Sequence, residues 1–600
     1  MFERFTRISL VLLLLSVFVS ACTVEGGVPE VQPTTAPSPL PQATDAAVAQ
    51  QLAERNDTWQ IGLLEAPGSL YPYQPSPSAQ RVAAPVMELL YPSPILALNY
   101  GYTSTGVLEQ VPTLENGGAT LQKADVYLDA AGNITTTQTS VITQVDQLVV
   151  TYRWSPDLRW SDGQPVTAAD SVFAYNLAKA APPNDEARDR LAQTVSYEQV
   201  DDYTTKAVLR PDVVGPTYFL NYWTPLPQHL LKSFDPTTLT KSDFALQPIG
   251  YGPYAIASRT AGEITMVRNP YYAGSTPSAS QVSFTFPSTM ALAQAGLTNG
   301  NLDVVISDRV TADQLDLLGS SDAARTLQVS YVPNPIWEHI DFNLDVSILQ
   351  DIQVRRAIAL GTNRKAMVDT LFKGQVLVLD SWVLPGQPEA APADQITRYE
   401  YNPDQARALL DQAGFPEQNG VRVSSDGVTL TLQLLTTDTP PLRGAIAEQF
   451  KADMANIGVQ IDIQTLSTDE MFSRTGPLFQ RKYQLALFGW AASPYAGGLS
   501  LWSCASVPSE SNGWSGENVS GWCFRDADRA IRNGVSTTDA KARREAYITQ
   551  QKLWTQELPA LPLFQRLSIV AATPAVQGLQ PDAFAPLTWN IAAWQREEKS

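Results

Sequence analysis

Six hundred residues contain only three cysteines and two histidines, and 41 lysines and arginines stand against 60 acidic side chains. Each shortage removes a class of function. Cys22, Cys504, Cys523, His229 and His339 are the only thiols and imidazoles. A Cys/His zinc site would need nearly all of them to converge, so no metal site is expected. A formal charge of −19 argues against nucleic acid and anionic lipid as partners, since both need clustered Lys and Arg. There is no Gly-x-Ser-x-Gly elbow, no His-Glu-x-x-His and no phosphate loop. Gly513-Trp514-Ser515-Gly516 lacks the elbow spacing, and Asp201-Asp202 reads as a solvated turn rather than an acid–base pair. Neither histidine has a visible nucleophile to serve. The chain is therefore expected to be no enzyme and to need no cofactor.

What is present begins at the N-terminus. Arg4 and Arg7 precede an apolar run from Ile8 to Phe18, and Val19-Ser20-Ala21-Cys22 follows. A basic start, a short apolar stretch and small residues at the cut site predict an export signal over 1–21. The run is well short of the roughly 20 residues that cross a bilayer, and no later run approaches that length. The four residues ending at Cys22 resemble the lipobox of bacterial lipoproteins, which implies lipidation of Cys22 and a protein tethered to a membrane, facing the periplasm or cell exterior. Residues 22–56, with prolines at 29, 33, 37, 39 and 41 among Thr, Ser, Ala and Gln, are predicted to be a disordered linker. Loss of 1–21 removes Arg4, Arg7 and Glu3 and moves the charge from −19 to −20. Export favours a disulfide between Cys504 and Cys523, two unrelated free thiols being the other reading.

The body starts with a predicted strand, Trp59–Leu64, and 115–148 reads as a meander or insert. Leu148–Trp154 is a second strand. Thr167 caps a helix with Asp170 three positions on; Val172, Phe173, Leu177 and Ala178 supply its apolar face and Pro182-Pro183 end it. Asn402 caps another, with Pro403 first in the helix and Gly414 at its end. From 428 to 463 the pattern is strand, helix, strand, a βαβ-like unit that predicts an α/β fold with mixed sheets.

Leu158–Asn176, LRWSDGQPVTAADSVFAYN, closely resembles the signature of the family 5 extracellular solute-binding proteins, the oligopeptide, dipeptide and nickel-type receptors of ABC importers. Further motifs follow in that family's order: Pro248–Tyr254, Arg268–Tyr272, Asp351–Ala359 with Asn363-Arg364, Tyr401–Leu410 with Ala413-Gly414, Phe488-Gly489-Trp490, and Leu558–Leu563.

The resemblance implies a type II periplasmic-binding-protein fold, two lobes closing by a hinge, plus an extra domain. Lobe I would comprise 57–80, 211–330 and 561–600, the extra domain 81–210 and lobe II 331–560. Peptide-binding members carry an acid three positions after the Gly-Trp pair, which meets the peptide's ammonium; here that position is Ser493. A serine cannot neutralise a buried ammonium, so a peptide-like ligand without a free N-terminus, or an oligosaccharide, is expected. The expected contacts are Trp490, Ser493, Tyr71 and Trp502, with Gly489, Ala491 and Tyr495 beside them. The implied partner is an ABC permease, the implied state a monomer. A receptor that signals to a membrane sensor, or less plausibly an exported hydrolase, is the rival reading.

Overall fold

A computed structural model describes residues 57–597, apart from 75, 129–133, 136–137, 212, 309 and 321–325. The expected signal peptide, Cys22 and linker lie outside the described residues. Among the described residues no helix is long and apolar enough to cross a membrane.

In chain order the strands are β1 (Thr58–Leu63), β2 (Ile95–Leu98), β3 (Gly101–Ser104), β4 (Ala119–Leu128), β5 (Ile134–Thr135), β6 (Ile142–Arg153), β7 (Thr194–Asp201), β8 (Thr204–Leu209), β9 (Tyr254–Arg259), β10 (Glu263–Arg268), β11 (Gln281–Thr285), β12 (Val304–Ser307) and β13 (Gln328–Phe342). They continue with β14 (Glu417–Gln418), β15 (Val421–Arg422), β16 (Thr431–Thr437), β17 (Gln460–Leu466), β18 (Leu485–Ala491), β19 (Ala560–Ala572), β20 (Val576–Gln577) and β21 (Gln595–Arg596). Ten of them form one mixed sheet in the order β17-β16-β18-β13-β19-β12-β1-β11-β10-β9, and a second sheet runs β5-β4-β6-β8-β7. The unit predicted over 428–463 is present: β16 pairs in parallel with β17 through the helix Leu442–Asn456. The meander predicted over 115–148 is the antiparallel β4–β6 part of the second sheet.

The helix predicted from Thr167 spans Ala168–Ala180, with a reciprocal cap between Thr167 and Asp170. Its buried face differs from the predicted one. Ser171, Ala174, Tyr175 and Ala178 are buried, whereas Val172, Phe173 and Leu177 are half-buried. The rotation follows from polar anchoring. Asp170 accepts from Gln228 N at 3.0 Å, and Ser171 Oγ donates to Trp223 O, which turns that face inward and sets Tyr175 against Tyr197 and Trp223.

Three of the sequence motifs meet at one joint. Gly252 N donates to Leu90 O at 2.8 Å, and Ser161 N to Gly250 O at 2.8 Å. Asn269 Nδ2 donates to Gly252 O at 2.8 Å. A Cβ on Gly250 would lie 2.0 Å from Leu90 O, and one on Gly252 2.2 Å from Leu89 O, so only glycine lets this turn seat on the end of the helix Pro77–Leu90. Trp160 fills the centre, edge-on to Tyr91 and Tyr251.

Strands β13 and β19 are the long members that tie the two ends of the large sheet together. They pair over Gln328–Pro333 and again over Trp337–Asp341, with the register broken between. The break is dictated by Pro333-Asn334-Pro335: two residues without an N–H cannot continue the ladder. Gln565 Nε2 bridges the gap by donating to Asn334 O at 2.8 Å.

Just beyond the break sits Glu338, fully buried. It accepts from Arg566 Nε at 2.6 Å and from the Nη2 of the same guanidinium, and Arg443 Nε lies 3.4 Å away. Burial would raise its pKa, but Arg566 and then Arg443 outweigh that and hold it at about 2. Gly489 is opposite in β18; a Cβ there would come within 3.1 Å of Glu338 Oε1 and 2.9 Å of Ile336 Cγ2.

Replacing Glu338 by Gln leaves two guanidinium groups without their counter-charge and should cost about 3–5 kcal/mol. The folded pKa lies below the ordinary 4.5. The carboxylate's contribution is thus complete above about pH 4.5 and is lost as the pH falls towards 2. Acid unfolding of wild type and Glu338→Gln should converge over that window; parallel curves would contradict the assignment.

Candidate functional site

Strands β1 and β12 are parallel neighbours, as are β16 and β18. β12 runs antiparallel to β19, β19 to β13 and β13 to β18. The two parallel sets therefore point at one another, and their carboxyl ends meet across the broken β13–β19 ladder. Ligands of open α/β sheets bind outside the carboxyl ends of strands, which makes this gap the candidate cleft. Its floor includes Asp308 and Val310 after β12, Phe372, Pro440 after β16, and Arg566.

The segment after β18 forms one wall. Trp490 is half-buried with its ring edge-on to Phe488 at 5.3 Å. Ala491 is exposed and pairs with Ile336. Ser493 is exposed, and its carbonyl accepts from Gln387 Nε2 at 2.7 Å, which fixes the backbone of this segment. Tyr495 lies under the Arg543 guanidinium at 5.1 Å. That arginine is neutralised by buried Glu389, which accepts from Arg543 Nε at 2.7 Å and from Ala496 N at 3.0 Å.

The facing wall is the β2–β3 hairpin. Asn99 and Tyr100 both take left-handed backbone at its tip, φ 49° and 58°. Tyr100 packs edge-on to Phe584 at 5.0 Å and against Gly386, where a Cβ would strike its ring. Gln565 Nε2 reaches Tyr100 Oη at 3.3 Å. Tyr102 meets Tyr495 and Phe219, each at 5.2 Å. Burial raises the Tyr102 phenol, so it stays a neutral hydroxyl. Asn334 is buried, and its Nδ2 has no partner, an amide donor held beside Gln565 at the cleft's base.

Of the residues singled out from sequence, Trp490, Ala491, Ser493 and Tyr495 share this wall, and Gly489 spaces the layer behind it. Two do not belong to it. Trp502 is 2% exposed, enclosed by Trp382, Trp522 and Trp554; it is core packing, because the short helix Leu499–Trp502 turns it inward. Cys504 and Cys523, bonded to each other, close the loop beside that cluster. Tyr71 is buried against Tyr73 and the helix Ala168–Ala180, since the loop after β1 folds back over that helix instead of entering the cleft. His339 is fully buried between Trp337 and Phe488, and burial lowers its pKa to about 3. His229 lies elsewhere, bonded to Asp162 at 2.8 Å.

Sequence reasoning missed Tyr100, Asn334, Glu338, Arg443, Gln565 and Arg566. The proline pair at 333 and 335 was a legible mark of the break. Nothing in spacing joins positions 338, 443 and 566.

Comparisons place this architecture. The oligopeptide-binding protein AppA from Bacillus subtilis, solved with a nonapeptide, superposes with a TM-score of 0.66 at 17% identity, covering 90% of this chain and 99% of that one. NikA from Brucella suis, solved with Fe(III)-EDTA, gives 0.70 at 17%, covering 90% and 100%. The fold is that of the type II periplasmic binding proteins. A Brucella ovis protein named for ABC-transporter peptide binding is 28% identical over 332 residues, 54% of this chain and 58% of that one. The peptide transport periplasmic protein SapA of Salmonella typhimurium is 28% identical over 362 residues, 59% and 61%. The chain thus matches about three-fifths of the length of these relatives. The profile of the bacterial extracellular solute-binding proteins, family 5 Middle, matches residues 137–510, more than half of the sequence, and the chain belongs to that family.

Proposed function

We propose that this chain is a lipid-anchored, exported solute receptor that closes around a ligand lacking a free ammonium and delivers it to an ABC import permease. The ligand is a blocked peptide-like molecule or an oligosaccharide. Lobe I is formed by 57–80, 211–330 and 561–600, lobe II by 331–560, and 81–210 is the extra domain. Ligand touching both walls favours the closed arrangement, and the closed form is what the permease recognises. Peptide naming among the relatives and the shared family support import of a peptide-sized solute.

One observation carries the choice of a neutral ligand. Ser493 stands where an acid would meet an ammonium, and the buried carboxylates nearest that wall, Glu389 and Glu338, are already bound to arginines. The walls offer hydroxyl, amide and aromatic groups, Ser493, Tyr100, Asn334, Trp490 and Tyr495, and the charges in the floor are paired, Asp308 with Arg81 and Arg566 with Glu338. Rings with a few convergent polar groups suit sugar faces or capped amides.

Thermal unfolding of the full chain against N-acetylated peptides, free-amine peptides and oligosaccharides tests this. A ligand at 100 times its Kd adds about 2.7 kcal/mol, so neutral compounds should raise the midpoint and free-amine peptides should not. Ser493→Asp should bring free-amine peptides into range. Stabilisation of the wild type by free-amine peptides alone would refute the neutral-ligand reading. Trp490→Ala should weaken binding about tenfold or more, in line with a buried aromatic anchor; unchanged affinity would remove Trp490 from the site.

A further inference from the structure

A pocket of about 200 Å³ lies away from the cleft, between the helix Pro77–Leu90, the loop Pro72–Gln74 and the helix Asp185–Gln193. None of the cleft residues named above lines it. Its walls are the rings of Tyr73, Tyr91 and Tyr222 with Gln74, Glu88 and Arg190 between them.

Two acceptors line this pocket, one without a donor and one held only by Ser93. Gln74, 4% exposed, spends its Nε2 on Ser69 O and Tyr71 O at 3.1 and 2.7 Å, and its Oε1 is left without a partner. Glu88, 6% exposed, accepts a long bond from Ser93 N at 3.4 Å and a second from the Ser93 side chain. It has no ion-pair partner among the described residues, and it sits in the last turn of its helix, where the backbone dipole repels an anion. Arg190 does not supply the missing charge. Its Nη1 donates to Tyr222 O at 2.6 Å, its Nη2 is paired with Glu186 at 2.7 Å, and its guanidinium covers Tyr222 and Trp223. A buried carboxyl with no counter-ion, served only by Ser93, and a buried amide oxygen without a donor are costly, and a cation bearing N–H groups would satisfy both while lying against aromatic faces.

We propose that this pocket is a second binding site, for a small organic cation of the primary alkylammonium class, with Glu88 as counter-ion and Gln74 Oε1 accepting an N–H. Burial raises the Glu88 pKa to about 8, so the empty pocket holds a neutral carboxyl at pH 7 and cation uptake expels its proton. The other titratable groups facing it do not take that proton: Glu186 is paired with Arg190, and burial raises the three phenols. Affinity therefore climbs as the pH rises towards 8 and then levels.

Isothermal titration of the full chain with n-butylammonium and ethanolammonium chloride, at fixed ionic strength with n-butanol as the neutral control, tests the site. The expected result is one site per chain, release of about one proton at pH 7 read from buffers of different ionisation enthalpy, and no butanol binding. Glu88→Gln should weaken ammonium binding at least tenfold. Ammonium binding retained in Trp490→Ala supports the separate pocket; its loss there would put the cation in the cleft and overturn the proposal. Equal binding of butanol, full affinity in Glu88→Gln, or no heat at millimolar ammonium would each overturn it as well. Should Glu88→Gln fail to fold, the wild type still decides: a Kd that does not change between about pH 6 and 9 contradicts a carboxyl titrating inside that range.

Discussion

The rest of the structure depends on the point where β13 and β19 lose their register. A continuous antiparallel ladder would make the ten-stranded sheet one stiff plate. Pro333 and Pro335 remove two donors within three residues, and the pairing resumes only at Trp337. The interruption is held by a side chain, Gln565, and backed by Glu338 with Arg443 and Arg566. A buried ion cluster of this kind contributes little net stability against an apolar replacement, yet breaking it is expensive. Its arginines come from different elements: Arg443 from the helix after β16 and Arg566 from the strand that crosses the break. The cluster therefore fixes how the two carboxyl ends face each other.

That facing arrangement is what the proposed receptor function rests on. Tyr102 of the hairpin meets Tyr495 after β18, while Tyr100 at its tip packs on Gly386 and reaches Gln565 of β19. Contacts of this sort are the ones a ligand would take over or reinforce. The polar groups on offer are uncharged or already neutralised, and the proposed selection is by hydrogen-bond pattern and ring contact more than by charge.

Much of the fold was legible in the sequence because its signals are local. Caps at Thr167 and Asn402, the βαβ unit at 428–463 and the glycine turn at 250–252 each follow from neighbouring residues. The motifs that identify the family build a joint: Trp160, Gly250, Gly252 and Asn269 are fixed by close packing on the end of one helix. The helix from Thr167 shows where local reasoning stops. Its apolar spacing pointed to Val172 and Phe173, but hydrogen bonds from Asp170 and Ser171 to residues more than 50 positions away rotated it. Of the candidate cleft, only the wall along the continuous stretch Trp490–Tyr495 was anticipated from the sequence. Trp502 was misplaced because an aromatic residue carries the same composition signal in a core as in a cleft. Tyr100, Asn334 and Arg566 meet only through tertiary folding.

The central claim is that the cleft holds an intact ligand with no free ammonium. Native mass spectrometry of the full chain, purified without denaturation from its own cells, tests it most directly. The account predicts a bound compound that is released unchanged on unfolding, does not react with amine-labelling reagents and is lost in Trp490→Ala. A carried peptide with a labelled α-amine would contradict it.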